Sequence, residues 1–304
     1  MKSFNLRLET FINHLKKYYF NKTSYSNILF CTITNDEFFP GTAVMLYSMK
    51  KHLKSFDSNH IRIFFDNNIS PLSNDNQALL KSLSSNIELI EIKDKIYRNA
   101  ICKYEKHRLA YLTIEAFNQN DFSKIIFFDG DMLTLKDFSH SINFSFPIFG
   151  SKDGKFKNGK GPRFKWRSIN TGFFGFDSKK IPSSTYPDLK EMVRKRNDPN
   201  SELLDQKMIN NYFSKNKIPQ LLIHHYNNFR DYGASGNGSE KFLKKKLNKI
   251  KIIHFSGYEI RPKPWEISSV NQKKLNTHIA YKLWLNYAND LINKFPPFNR
   301  ILEK

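Results

Sequence analysis

Cysteine is scarce. Only Cys31 and Cys102 occur in 304 residues. They lie in apolar or mixed segments without Cys-x-x-Cys spacing, so no disulfide framework is expected and a reducing cytosol fits better. Long apolar runs are also missing. No stretch reaches the roughly 18 apolar residues of a membrane-spanning helix. The opening "MKSFNLRLETFINHLKKYYF" has neither a continuous apolar core nor a small-residue cleavage site, so it is not expected to act as a signal peptide. There is no internal repeat, no linker that cleanly splits the chain, and no RNP, helix-turn-helix or zinc-finger pattern. Acidic residues are outnumbered 28 to 49, leaving a net charge of +21. That excess calls for an anionic partner and says nothing about fold. Asn-x-Ser/Thr triplets such as "NKT" at 21–23 read as chance in so Asn-rich a chain.

About two-fifths of the chain is hydrophobic (39%), enough for a sizeable core. Residues 1–25 read as a short helix, with Phe4, Leu8, Phe11, Ile12, Leu15 and Tyr19 at helical spacing. "ILFCTIT" reads as a buried strand, followed by a helix that opens at Pro40. "IRIFFD" and "IELIEI" read as strands with the short helix "QALLKSL" between them. "KHRLAYLTIEAFNQ" reads as a helix leading to the strand "KIIFFDGD". This alternation predicts an α/β sandwich, a mainly parallel sheet flanked by helices, with ligands beyond the carboxyl ends of its strands. Further on, "GSKDGKFKNGKGPRFKWRS" reads as a long mobile loop, "INTGFFGFD" as a strand, "SELLDQKMINNYF" as a helix and "NNFRDYGASGNGSE" as a flexible loop. "KFLKKKLNKIKIIHF" reads as a basic helix running into a strand.

The chemistry concentrates at "DGD". In a strand, residues two apart face the same side, so Asp129 and Asp131 can converge while Gly130 lets the backbone approach. Two hard oxygen donors suit Mg²⁺ or Mn²⁺. A lone Asp-x-Asp also reads as two solvated acids in a strand-end turn. With no cation between them two such carboxylates repel, so losing either is expected to cost the metal-free protein little stability. In "HFSGYEIRPKPW", His254 offers an imidazole nitrogen, which Mn²⁺ tolerates better than Mg²⁺ does. Gly257 allows a close backbone approach, and Lys263 a point charge for a phosphate. Pro262, Pro264 and Trp265 stiffen and anchor that loop.

Taken in order, "CTITNDEFFPGTAVMLYS", "RLAYLTIEAF" with "KIIFFDGDMLTLKD", "INTGFFGFD", "LLDQKMIN" and "HFSGYEIRPKPW" resemble the motifs of glycosyltransferase family 8. Its retaining enzymes include glycogenin and bacterial lipopolysaccharide galactosyl- and glucosyltransferases. The last motif carries two additional residues before Lys263. The resemblance spans roughly residues 27–265. It implies a GT-A fold with a Rossmann-like mainly parallel sheet, a UDP-sugar donor and Mn²⁺, with Mg²⁺ the alternative. Asp129, Asp131 and His254 would hold the metal. Thr32, Thr34 and Asn35 would hold uracil and ribose, with Asp129 and Gly130 near them. Arg108 would contact the donor, and Asn170 and Gly172 would line the sugar pocket. Asp205 and Gln206 would lie beneath the anomeric carbon as the catalytic pair. Gly257 and Lys263 would hold the diphosphate.

The expected organisation is an N-terminal helical extension (1–26), a catalytic domain (27–265) and a helical tail (266–304). The expected reaction moves glucose or galactose to a saccharide or glycolipid acceptor in bacterial surface polysaccharide or lipooligosaccharide synthesis. The expected place is the cytoplasm, peripheral to the inner face of the plasma membrane. Lysines 241, 244, 245, 246, 249 and 251 read either as a solvated face or as attraction to anionic lipid. Tyr281, Trp284, Ala288, Leu291, Ile292 and Phe295 form a helical stripe, docked on its own domain or laid on a membrane. Nucleic acid is not an expected partner. A sugar nucleotidyltransferase would usually carry a Gly-rich basic loop after the first strand, and "TNDEFFPGT" is not one. An inverting GT-A enzyme and a basic polyanion-binding protein are the other readings.

Overall fold

A computed structural model describes residues 27–142, 145–152, 155–157, 160–163, 169–196, 204–223, 229–231, 243–245, 247–256, 263–266 and 279–302. The helix expected over residues 1–25 lies outside them. The main sheet has seven strands in the order β10-β6-β9-β4-β1-β2-β3. These are β1 (Ile28–Ile33), β2 (His60–Phe65), β3 (Ile87–Glu91), β4 (Lys124–Phe128), β6 (Ile148–Lys152), β9 (Ile169–Asp177) and β10 (Gln220–Ile223). Strands β3, β2, β1 and β4 run parallel, and β9 runs antiparallel to both β4 and β6. Every residue of β4 and β9 is buried, as a strand covered on both faces requires.

Helices cover both faces. On one lies α1 (Phe39–His52), with Pro40 in its first turn and the Asn35 side-chain oxygen accepting from the Phe38 amide at 2.8 Å. Its Ala43, Val44 and Leu46 share a core with Phe30 and Phe128 of the sheet. The C-terminal helix α7 (Ile279–Lys294) shares it too, burying Tyr281, Trp284, Ala288 and Leu291. The stripe is therefore docked on its own sheet, with Tyr47 and Lys51 of α1 donating to Asp290 at 2.6 and 2.7 Å. On the other face lie a 3₁₀ helix (Glu105–Asn118), α5 (Thr185–Arg194) and α6 (Leu204–Lys215), over Cys31, Phe127 and Phe174. Short helices α2 (Asn74–Ser82), α3 (Lys95–Arg98) and α4 (Ser139–Ile142) are also present.

One expectation about the elements is corrected. The stretch after β6 is paired in part, with β7 (Lys155–Lys157) and β8 (Lys160–Arg163) forming an antiparallel hairpin. Alternating Lys and small residues hid the strand period there. Of the basic run, residues 243–245 are helical and Leu247–Lys249 form a 3₁₀ turn before β12 (Ile252–His254), while residues 241, 242 and 246 lie outside the described residues. That strand lies in a second sheet, ordered β11-β12-β5, with β11 (Phe229–Asp231) and β5 (Met132–Thr134). Among the described residues no helix is long and apolar enough to cross a membrane.

Candidate active site

The chain leaves the large sheet at Phe128 and enters the small one at Met132. Asp129, Gly130 and Asp131 are the turn between the two sheets. They are not a strand end, so strand alternation is not what brings the carboxylates together. Pairings on both sides fix the turn instead. The Asp129 amide donates to the Gly172 carbonyl at 2.8 Å, continuing the β4–β9 pairing. The Phe255 amide donates to the Asp131 carbonyl at 2.9 Å, continuing the antiparallel β5–β12 pairing in which His254 faces Met132.

That second pairing delivers the imidazole. His254 Nε2 lies 3.1 Å from an Asp131 oxygen and 3.4 Å from an Asp129 oxygen. One donor atom from each of the three residues lies within 4.8 Å of the other two. The crowding leaves no room for side chains nearby. A Cβ on Gly172 would sit 2.5 Å from His254 Cε1 and 2.8 Å from Asp129 Oδ2, and one on Gly130 would strike the Thr42 hydroxyl. Two carboxylates and one imidazole on a glycine-lined floor fit a divalent cation such as Mn²⁺.

The two acids are not equivalent. The Asp129 side chain is 42% exposed and that of Asp131 5%. Asp131 is bonded to the buried Lys263 ammonium, which also donates to the Phe255 carbonyl at 2.7 Å. Burial pushes the Asp131 carboxyl up, but the charges and hydrogen bonds of Lys263 and His254 outweigh it and hold it far below the usual range. The lysine expected to meet a diphosphate thus compensates a buried acid here.

Helix α6 supplies Asp205 and Gln206. Gln206 Oε1 accepts from the Thr171 amide at 3.3 Å. One turn on, Asn210 bonds both the amide and the carbonyl of Ile169, at 2.8 and 2.9 Å. Two amide side chains four residues apart therefore pin the helix to the start of β9. Burial, and then the charge of Asp129, push the Asp205 carboxyl up to about 7, opposed by a hydrogen bond from Thr171. Sequence reasoning overlooked Thr171, although it stands between Asn170 and Gly172 in a motif already singled out.

The remaining expected residues divide. Asn170 is buried, and its Oδ1 accepts from the Gly172 amide at 3.0 Å beside the acid cluster. Thr32 and Thr34 turn inward on the α1 side of β1. The Thr34 hydroxyl meets that of Thr42 at 2.9 Å, and the buried Thr32 hydroxyl has no hydrogen-bond partner among the described residues. Both side chains are buried, because alternation along β1 sets them on the face of Phe30; the uracil and ribose role expected of them stays a proposal. Asn35 spends its amide on Ser70 Oγ (2.7 Å) and its oxygen on the Phe38 amide. Arg108 donates to the Ala100 carbonyl at 3.1 Å and pairs with Glu105, and no ion pair joins it to Asp129 or Asp131 among the described residues. Gly257 lies outside the described residues.

Solved structures of similar shape include the galactosyltransferase LgtC in complex with donor and acceptor sugar analogs. It is 13% identical, with 86% of this chain and 95% of that one covered and a TM-score of 0.56. The glycosyltransferase GlyE of Streptococcus pneumoniae TIGR4 is 14% identical, over 88% of this chain and 64% of its own, with a TM-score of 0.56. The bifunctional glycosyltransferase WbbM is 15% identical, over 88% of this chain and 52% of its own, with a TM-score of 0.55. At such identities the likeness establishes the fold, which is GT-A. No curated protein sequence matches the chain significantly. The acid turn, the histidine strand and the Asp-Gln helix all fall within residues 27–268, the span that matches the profile described as glycosyl transferase family 8, and the chain belongs to that family.

Proposed function

We propose that this glycosyltransferase moves a hexose, glucose or galactose, from a UDP-sugar to a saccharide acceptor with retention of anomeric configuration, using Mn²⁺. The observation that carries the reading is the convergence of Asp129, Asp131 and His254 within 4.8 Å at the junction of two sheets. These three residues would hold the cation, which when bound supplies Lewis-acid stabilisation of the charge on a departing diphosphate. Lys263, already drawn to this point by Asp131, would share that charge. A diphosphate leaving group needs no strong general acid. Neither α6 residue is poised as a nucleophile, since Gln206 is neutral and its oxygen is engaged by Thr171. The Asp205 carboxyl is pushed toward neutrality. The engagement of Gln206 by Thr171 favours a front-face path, in which the leaving phosphate takes the acceptor's proton, over a double displacement through that residue.

The decisive experiment incubates the protein with UDP-glucose and UDP-galactose, with Mn²⁺ and with EDTA, and reads the product anomer by NMR. An α-linked product formed only with metal supports the proposal. Full activity in EDTA defeats the metal assignment, and a β-linked product defeats retention. We place the reaction in surface polysaccharide or lipooligosaccharide synthesis at the cytoplasmic face of the membrane. The exposed Lys244, Lys245 and Lys249 support this, whereas the buried C-terminal stripe no longer does. Salt-reversible sedimentation with anionic but not neutral liposomes is the check.

A further inference from the structure

Helix α7 follows the span that carries the family likeness, yet two of its side chains reach both ends of the loop that holds His254 and Lys263. Tyr281 meets Phe255 edge to face, with ring centroids 5.8 Å apart. Phe255 follows His254 directly, donates its amide to Asp131 and accepts from Lys263 Nζ. Trp284 meets Trp265, again at 5.8 Å. Trp265 stands two residues after Lys263. Its indole N–H donates to the Glu37 carbonyl at 2.9 Å, and its ring lies against Gly41. Phe38 closes the arrangement, 5.7 Å from Trp265 and 5.8 Å from Lys263 Nζ. All four rings of the two pairs are buried, and Trp284 is 0% exposed. Residues 281 and 284 are neighbours on one helix face. The histidine end and the lysine end of the loop therefore rest on adjacent positions of a single rigid element.

We propose that Tyr281 and Trp284 are positioning residues. Helix α7 sets the separation of His254 and Lys263 that a cation and a diphosphate together require. The inference rests on reading the site as one for a metal and a UDP-sugar. Neither aromatic touches the ligands. Each acts by fixing a backbone anchor, so that the placement of His254 and Lys263 is set before the ligand arrives and does not subtract from affinity.

The test is calorimetric titration of Mn²⁺ and UDP into the full chain and its variants, with melting temperatures alongside. Trp284→Leu should weaken Mn²⁺–UDP binding roughly 10-fold while Trp284→Phe, which keeps an aromatic ring, stays within about twofold. Leu291→Ala, at a buried position two turns further along the same face, should lower the melting temperature and leave the affinity alone. Should Trp284→Leu fail to fold, Tyr281→Leu carries the same test at the His254 end. The inference is overturned if Trp284→Leu binds as tightly as wild type, or if Leu291→Ala weakens binding as much. A wild type that binds no UDP with Mn²⁺ removes the reading of the site and the inference with it. Wild-type binding that Trp284→Leu leaves unchanged removes the inference alone.

Discussion

Replacing Asp131 by Asn in the metal-free protein should be costly, and replacing Asp129 should not. The Asp131 side chain is 5% exposed and that of its lysine partner, Lys263, 3%. Removing one member of such a pair strands the other charge in the interior, at a cost of about 3–5 kcal/mol. At about 2 °C per kcal/mol for a chain of this size, the melting temperature should fall by roughly 6–10 °C. Asp129 has a partly accessible side chain and raises the proton affinity of Asp205, so Asp129→Asn should stay within about 0.5 kcal/mol of wild type. The double variant Asp131→Asn/Lys263→Met removes both buried charges and should recover most of the loss, which a double-mutant cycle reads directly. The assay is thermal melting in EDTA. If metal-free Asp131→Asn melts within a degree of wild type, or Asp129→Asn falls as far, the ion pair does not carry the stability assigned to it. On this argument the sequence-based expectation that either acid could be lost cheaply should hold for Asp129 alone, because burial with Lys263 converts Asp131 from a repelled charge into a needed one.

Three further outcomes are expected. Gly172→Ala puts a methyl 2.5 Å from His254 and 2.8 Å from Asp129, and should weaken Mn²⁺ binding at least 10-fold by calorimetry. His254→Ala should raise the Mn²⁺ concentration needed for half-maximal turnover by roughly 10- to 100-fold, with added metal restoring part of the activity of EDTA-treated wild type. Lys124 is fully buried at the far end of β4, and burial pushes its ammonium from 10.5 down to about 7, Asp177 opposing. The unfolded chain keeps that proton to about pH 10.5, so this group makes stability rise with pH between about 7 and 10.5 and leaves it flat below. Lys124→Met should therefore stabilise the protein at pH 7 by a few kcal/mol, less any loss of the ammonium's contact with Phe149, and the gain should shrink toward pH 10. A pH-independent difference in melting temperature would refute it.

What the sequence disclosed was local in origin. The apolar runs of β1, β4 and β9 and the helix opening at Pro40 are periodic or capping signals that need no knowledge of the fold. The donor set of the site was legible for the same reason, since Asp129, Asp131 and His254 each stand at the end of an apolar run. Their contacts were not, because contact depends on which strands pair. Asp131 and Lys263 are 132 residues apart, and the pairing of β12 with β5 that brings them together has no signature in spacing. The burial of Thr32 and Thr34 was hidden for a related reason. Alternation sets both on one face of β1, but only the position of α1 reveals that this face is closed.

The turn at 129–131 is where the two sheets meet. A continuous strand would have given its two acids the same surroundings. A switch from one sheet to another gives them different ones: Asp131 is carried inward by β5 onto Lys263, while Asp129 stays at the open edge of β4. Gly130 is required because α1 packs against the turn, with the Thr42 hydroxyl where a side chain would go. The asymmetry also divides the work. The buried acid, locked by Lys263 and His254, holds the geometry, and the exposed acid carries a charge that reaches both the His254 imidazole and Asp205. A cation bound as proposed would meet one carboxylate already in place and one more accessible, and the first of these is held beside aromatic contacts that run back to the C-terminal helix.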